Sequence, residues 1–428
     1  MTPVHALARR PRLAAPALIA ALAVGVAAGC SSGGAEPSWT PVALPVAPGA
    51  KVVTLTPSAG GLLVGTYDAT AAVRPALTLL PADGAARSVP LTPVSGYARE
   101  ARWASVSVDG DAVVAIGGAP GGAHSNTRWT VWRGTTAAVP EHPQTFETFG
   151  GWGAGGLVGA VTLHGEPVLV GAWQSDAAAL DIATWLAQGT RWVRQRSTGT
   201  VLANTPTRLR QAEAVAATST LVVAVGSVTA LDGGIFVTAA AWTAGSARGP
   251  WTAVGLPQAE GARAERVGCD AAACLVLGRS GTAVRAWWLD ASGLRTVDLV
   301  GRTVGDGDHL LAPVVCGARA WLVLPGVGGA DVVELDRDAA TVSPGPRGSA
   351  PTALGVIRTG CMSPPAVVGC GARRSPTAAG PTRPTDRRVR DLPRSRRRSG
   401  LDDADVPAAQ PGQALDERLG VADDDHGP

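Results

Sequence analysis

Lysine is almost missing from this sequence. Lys51 stands alone in 428 residues, so nearly all the basic charge is arginine. With abundant Ala, Gly, Val and Pro, this is the residue usage of a GC-rich genome. The arginine therefore reports codon bias more than binding chemistry. A formal net charge of +3 is too small to argue for nucleic acid or for an acidic partner. Tyrosine is reduced to Tyr67 and Tyr97, which leaves few groups for a tyrosine nucleophile. No stretch carries helical periodicity, which excludes alternating strand–helix folds and, with them, a transporter-type binding protein. No HxH, HExxH or paired CxxC spacing occurs, so neither a metal nor a cofactor is expected. No G-x-S-x-G elbow and no Ser-x-Asp-x-Gly-x-x-Trp turn occurs either, which removes the usual hydrolase and sialidase signatures. The chain reads more as a binding protein than as an enzyme, although absent motifs weigh little in a repeat fold whose sites assemble from several units.

The start of the chain is informative. Arg9, Arg10 and Arg12 precede an apolar run, Leu13–Val26, with no acidic residue before it. A run of about 14 residues fits a secretory signal and falls short of the roughly 20 needed to span a bilayer. Arg12 stands where a twin-arginine signal carries an apolar residue. The run ends in Ala27-Ala28-Gly29-Cys30, which resembles the lipobox of bacterial lipoproteins. That resemblance implies cleavage before Cys30 and lipidation of its thiol. Residues 1–29 are then a signal peptide and 30–37 a short tether. The protein is expected outside the cell, held by lipid on the outer face of the cytoplasmic membrane.

Short Val/Leu/Ala runs alternate with Gly, Pro, Asp and Ser turns along the middle of the chain, which is an all-β pattern. "LLVGTY", "VVAIGG", "VLVGAW", "VVAVGS", "CLVLGR" and "WLVLPG" place Gly65, Gly117, Gly171, Gly226, Gly278 and Pro325 in register. Their spacing of about 50 residues marks a repeat architecture. Each unit adds a preceding strand, a tryptophan strand (Trp132, Trp185, Trp242, Trp287) and a last strand. Four antiparallel strands per repeat predict a β-propeller over 38–371, with tryptophans filling the wedge between blades. "SWTPVALP" (Ser38–Pro45) is similar to "PWTAVGLP" (Pro250–Pro257) and reads as an outer strand lacking its own inner three. Thr352–Gly371 supplies two more strands, so seven blades are expected, the last shared between the two segments and incomplete. Six blades is the alternative. The "AIGGAPGGAHSNTRWTVW" unit resembles a kelch repeat, and the whole resembles secreted actinobacterial propeller lipoproteins.

From about Ala372 the pattern stops: "RRSPTAAGPTRPTD" stands where a third strand is needed, near 375–385. Residues 372–428 read as an out-of-frame or disordered tail. Cys269 and Cys274 flank a hairpin turn and form the first candidate disulfide, with Cys316–Cys361 a candidate inter-blade pair. Gly151–Gly156 satisfies G-x-G-x-x-G but precedes a hairpin, and Gly305–His309 reads as a turn. The histidines, among them His124, His142, His164 and His309, read as surface loop residues. Two functions follow. The first is a monomeric, non-catalytic module binding an envelope protein or glycan. The second is a glycoside hydrolase or lyase acting on envelope or extracellular carbohydrate. It needs a carboxylate pair near the axis, and Asp68, Glu147, Asp176, Asp181 and Asp232 are the available loop acids.

Overall fold

The computed structural model describes residues 20–26, 39–44, 46–357 and 366–371, except 59, 83, 122–125, 300, 327–328, 337–338 and 348–350. Residues 372–428, Cys30 and Cys361 lie outside these. The described chain is almost entirely β. After β1 (Ala20–Val26) and β2 (Trp39–Leu44), a sheet forms from β3 (Lys51–Ser58), β4 (Gly61–Tyr67), β5 (Pro75–Pro81) and β6 (Arg87–Val89). The next segment holds β7 (Leu91–Thr92), α1 (Gly96–Glu100), β8 (Arg102–Asp109), β9 (Ala112–Gly121), β10 (Asn126–Thr135), β11 (Val139–Pro140) and α2 (Phe146–Phe149). Here only β8, β9 and β10 make a sheet, while β11 pairs with β7.

Four regular sheets follow in sequence order. They are β12–β15 (Ala154–Leu163, Glu166–Gln174, Leu180–Gln188, Arg191–Arg194) and β16–β19 (Arg208–Ala217, Val222–Ala230, Phe236–Ala244, Trp251–Glu260). Then come β20–β23 (Arg263–Cys269, Cys274–Ser280, Ala283–Asp290, Gly293–Val297) and β24–β27 (Val314–Cys316, Arg319–Gly326, Gly329–Leu335, Ala340–Arg347). The last strands are β28 (Pro351–Ile357) and β29 (Ala366–Gly371). They join β1 and β2 in a closing sheet of order β2-β1-β29-β28.

The first strands β3, β8, β12, β16, β20, β24 and β28 neighbour one another in turn, and β28 returns to β3. That ring makes the fold a β-propeller. Six sheets have the full four strands. The count of complete blades is therefore six, the alternative figure, and not seven. The β8–β10 sheet stays three-stranded because the returning chain, residues 138–142, meets the β10 edge only through isolated bridges and leaves it after His142.

The closing sheet has a third place between β29 and β2. The sequence pattern needs that strand near 375–385, which lies outside the described residues, and puts Ala20–Val26 in the expected signal peptide. Here β1 holds that place, pairing Val24 with Val368 on one side and with Thr40 on the other. The cause is simple: β29 and β2 each offer an unpaired edge, and an apolar strand-forming run satisfies both.

The repeated glycines have a physical origin. The first strands β3, β8, β12, β16 and β20 each carry a β-bulge, and Gly65, Gly117, Gly171, Gly226 and Gly278 pair with residues bordering it. At the bulge the first strand presses onto the second. A Cβ on Gly226 would lie 1.9 Å from the Gln211 carbonyl oxygen, and one on Gly278 2.0 Å from that of Arg263. Pro325 occupies the repeat position in the sixth unit. There β24 pairs only with Arg319–Trp321, so no first-strand residue faces Pro325.

The tryptophans fill the space between sheets as expected. Trp132, Trp185, Trp242 and Trp287, all on third strands, are fully buried. The Trp185 indole N–H donates to the Thr148 carbonyl (3.0 Å) and that of Trp287 to the Pro257 carbonyl (2.7 Å). Trp103 donates to the Ala76 carbonyl of the preceding sheet (3.1 Å) and packs edge-on against Trp132 at 5.4 Å. The Trp287 and Trp103 hydrogen bonds each tie a blade to its neighbour.

Candidate functional site

The departure of the chain from the β10 edge leaves a cleft of about 190 Å³. Its floor is the strand segment Thr127–Val131 and its back wall is His142. Tyr97 of α1 and Phe146 of α2 stand at its sides, 42% and 51% exposed. Both helices lie on fourth-to-first connections, so the cleft opens at the propeller end opposite the first-to-second hairpins.

Each wall is held by a specific contact. Glu141 is buried, and its carboxylate accepts hydrogen bonds from the Val94 and Ser95 N–H groups (2.5 and 2.6 Å) and from the Ser95 hydroxyl (2.7 Å). Ser95 in turn caps α1, its Oγ accepting from the Ala98 N–H at 3.0 Å. A buried carboxylate saturated by three donors fixes α1 to the strand edge. On the other side, Gln144 accepts from the Trp192 N–H (2.9 Å) and donates to the Thr190 carbonyl (2.9 Å). Phe149 anchors α2 by packing edge-on against Trp185 at 5.7 Å. The Arg128 guanidinium lies over the Phe146 ring at 4.5 Å, which orders both side chains at the mouth.

His142 was expected on a surface loop; it is instead half-buried in this cleft, with its Nδ1 shielded from solvent and without a hydrogen-bond partner. Burial, and then the Arg133 cation, hold the ring below the usual imidazole range. Its edge faces Trp192, whose Nε1 is also buried and unpartnered. His164 sits exposed in a hairpin turn and His309 in an exposed loop, while His124 lies outside the described residues.

The loop acids do not form a pair. Asp68 is bound by the Thr70 hydroxyl and N–H, which hold its carboxyl below the usual range. Asp176 accepts from the Thr198 hydroxyl, and the buried Asp181 accepts from the Asn204 N–H at 2.7 Å. Asp68 is committed to its own loop, while Asp176 and Asp181 each hold the connection between β15 and β16. Glu147 lies in the first turn of α2, and Asp232 is exposed in the turn between β17 and β18. Among the described residues no three His, Cys, Asp or Glu side chains converge as metal ligands. Asp308 closes the Gly305–His309 turn by accepting from the Gly305 N–H (2.9 Å). Gly151–Gly156 leads into the β12–β13 hairpin.

A carboxylate pair does occur, at residues the sequence did not single out. Glu213 and Glu265 are the bulge residues of the neighbouring first strands β16 and β20. Glu265 is paired with Arg279 at 2.6 Å and Glu213 accepts from the Gln211 side chain at 2.7 Å. Burial pushes the Glu213 carboxyl up and the Glu265 charge adds to it, while Arg266 and Arg263 pull it back. A bulge re-aims one side chain. Nothing in the local sequence "RQAEAVAA" marks where that extra residue falls.

The Cys269–Cys274 disulfide is present and closes the hairpin between β20 and β21. Cys316 ends β24, and its expected partner Cys361 lies outside the described residues. No helix among the described residues is long and apolar enough to cross a membrane.

No protein-family model matches the chain, and no curated protein matches its sequence. Solved structures are similar at low identity. The β-propeller domain of the Trilobed protease from Pyrococcus furiosus has a TM-score of 0.46 and 9% identity, covering 72% of this chain and 90% of that one. Pyrococcus horikoshii acylaminoacyl peptidase gives 0.45 and 9%, over 75% of this chain but only 51% of the other, so the chain spans about half of that enzyme. Penicillium chrysogenum alpha-L-arabinanase gives 0.37 and 12%, over 65% and 96%. The fold rests on the closed ring of sheets, not on these likenesses.

Proposed function

We propose that the protein is a binding module of the cell envelope, lipid-anchored through Cys30, that holds an envelope protein or glycan in the cleft beside β10. The single observation that carries this reading is the cleft itself. It lies where one blade lacks its outer strand, its walls are fixed by buried polar contacts, and its mouth carries exposed aromatic side chains. Trp152, which follows α2, is 97% exposed. Aromatic side chains supply large, rigid contact area at low entropic cost, which suits a recognition surface.

The test places a photo-crosslinking residue at Phe146 and, as a control, at Ile235, which is more exposed and lies on a different blade. The binding reading expects an adduct from the Phe146 position that the Ile235 position does not give. Equal adducts from both, or none from either, would sink it. For the anchor, a Cys30→Ala variant is expected to leave the membrane fraction; continued retention removes the lipid from the reading.

A second reading, a hydrolase acting on carbohydrate, is favoured by one observation, the Glu213 and Glu265 pair on neighbouring first strands. It expects a glycan-cleaving activity abolished by both Glu213→Gln and Glu265→Gln. Activity surviving either substitution removes the pair from the chemistry.

A further inference from the structure

The half-empty strand position beside β10 has a hydrogen-bonding direction. Resting on the binding reading above, we propose that the cleft takes an extended peptide segment, added as a β-strand along Thr127–Trp129.

Along an antiparallel strand, successive residues turn their backbone groups to alternate edges. Val131 faces outward, because its carbonyl accepts from the His142 N–H at 2.7 Å. Thr135 faces outward too, its N–H donating to the Ala138 carbonyl at 2.9 Å. By the same alternation the N–H and C=O groups of Trp129 and Thr127 point away from β9. Among the described residues no backbone partner meets them on that side. The chain's own return, residues 138–142, covers the edge up to Val131 and then leaves at Pro143. The ladder is begun by the fold and left open for two further outward residues.

Those two residues are about 6.8 Å apart along the strand, the repeat of an extended peptide. Backbone pairing of this kind gives affinity, and side-chain pockets at alternate positions give specificity. The cleft has room for one such side chain. His142 lines the cleft beside this position. Tyr97 and Phe146 line the cleft beside this edge and are exposed to meet the added chain.

The test selects a random heptapeptide phage pool on the full chain and on a Thr127→Pro variant. Proline removes only the outward N–H, leaving the ladder to β9 intact, as edge positions allow. The proposal expects a peptide family enriched at least tenfold on the parent. It also expects slowed amide exchange at Thr127 and Trp129 when the synthetic peptide is added, and weaker binding in Phe146→Ala. Equal enrichment on both proteins, or free exchange of those two amides in the complex, overturns it. A glycan-array ligand lost in Phe146→Ala but kept in Thr127→Pro also overturns it, while leaving the binding reading intact. A dimer that Thr127→Pro dissolves assigns the edge to a second copy and overturns it too. If Thr127→Pro melts early, amide exchange on the parent alone decides.

Discussion

His142 and Glu213 are half-buried titratable residues with opposite consequences for pH. The His142 ring is held below the ordinary value of about 6.5 by burial and by Arg133. As pH falls through that value the unfolded chain takes the proton first, so the folded state loses stability until its own ring protonates. A melting-temperature profile from pH 7.5 to 5 is expected to fall more steeply for the parent than for His142→Gln; parallel profiles would deny the shift. Glu213 is shifted the other way, upward, by burial and by Glu265. Its contribution is complete below the ordinary carboxyl value and is lost as pH rises through the folded one. Glu213→Gln is therefore expected to leave stability at pH 7 unchanged or raised, and a clear loss in denaturant melts would contradict that. The Cys269–Cys274 bond closes a short hairpin loop, and its removal by paired Ser substitution is expected to cost about 2 kcal/mol. Free thiols at both positions under non-reducing mass spectrometry would refute the bond.

Among the elements, the bulged first strand explains most of what the sequence pattern contained. The repeat was legible because in five of the six units a glycine faces a bulge, where an added Cβ meets its neighbours at close range. Gly226→Ala forces the Gln211 carbonyl aside and is expected to destabilise by roughly 2 kcal/mol, the usual scale of overpacking. The same change at Gly255, where nothing lies near the added methyl, is expected to be tolerated. Urea midpoints of the two variants decide the point. Strand order within each unit and the buried third-strand tryptophans were readable for the same reason: they repeat. The cleft was not readable, because it comes from a missing repeat element. The sequence "VPEHPQTFETFG" shows a proline leaving the strand, but not that the vacated edge would be walled by Tyr97 from one segment and Phe146 from another. His142 looked like any loop histidine until the two segments met.

At the scale of the molecule, the closing sheet sets two uses of Ala20–Val26 against each other. The segment is the third strand between β29 and β2, and it is also the apolar core of the expected signal peptide. A chain beginning at Cys30 has no β1, so β2 and β29 lose the strand between them. Amide exchange at Trp39–Leu44 and Ala366–Gly371 is expected to be faster in that shortened chain than in the full one; equal protection would show that another segment fills the place. Propeller architecture was legible as a repeat, whereas this sheet was not, because its four strands are drawn from opposite ends of the sequence. That origin governs the order of assembly. Six sheets are built from neighbours in sequence and form as each stretch leaves the ribosome, but Val24 must wait for Val368. Closure is thus the slowest contact to find and the last to be made during synthesis. Until then the β1 edge that β29 will cover stays exposed, and the nascent chain's exposure to aggregation is set by how quickly β28 and β29 emerge.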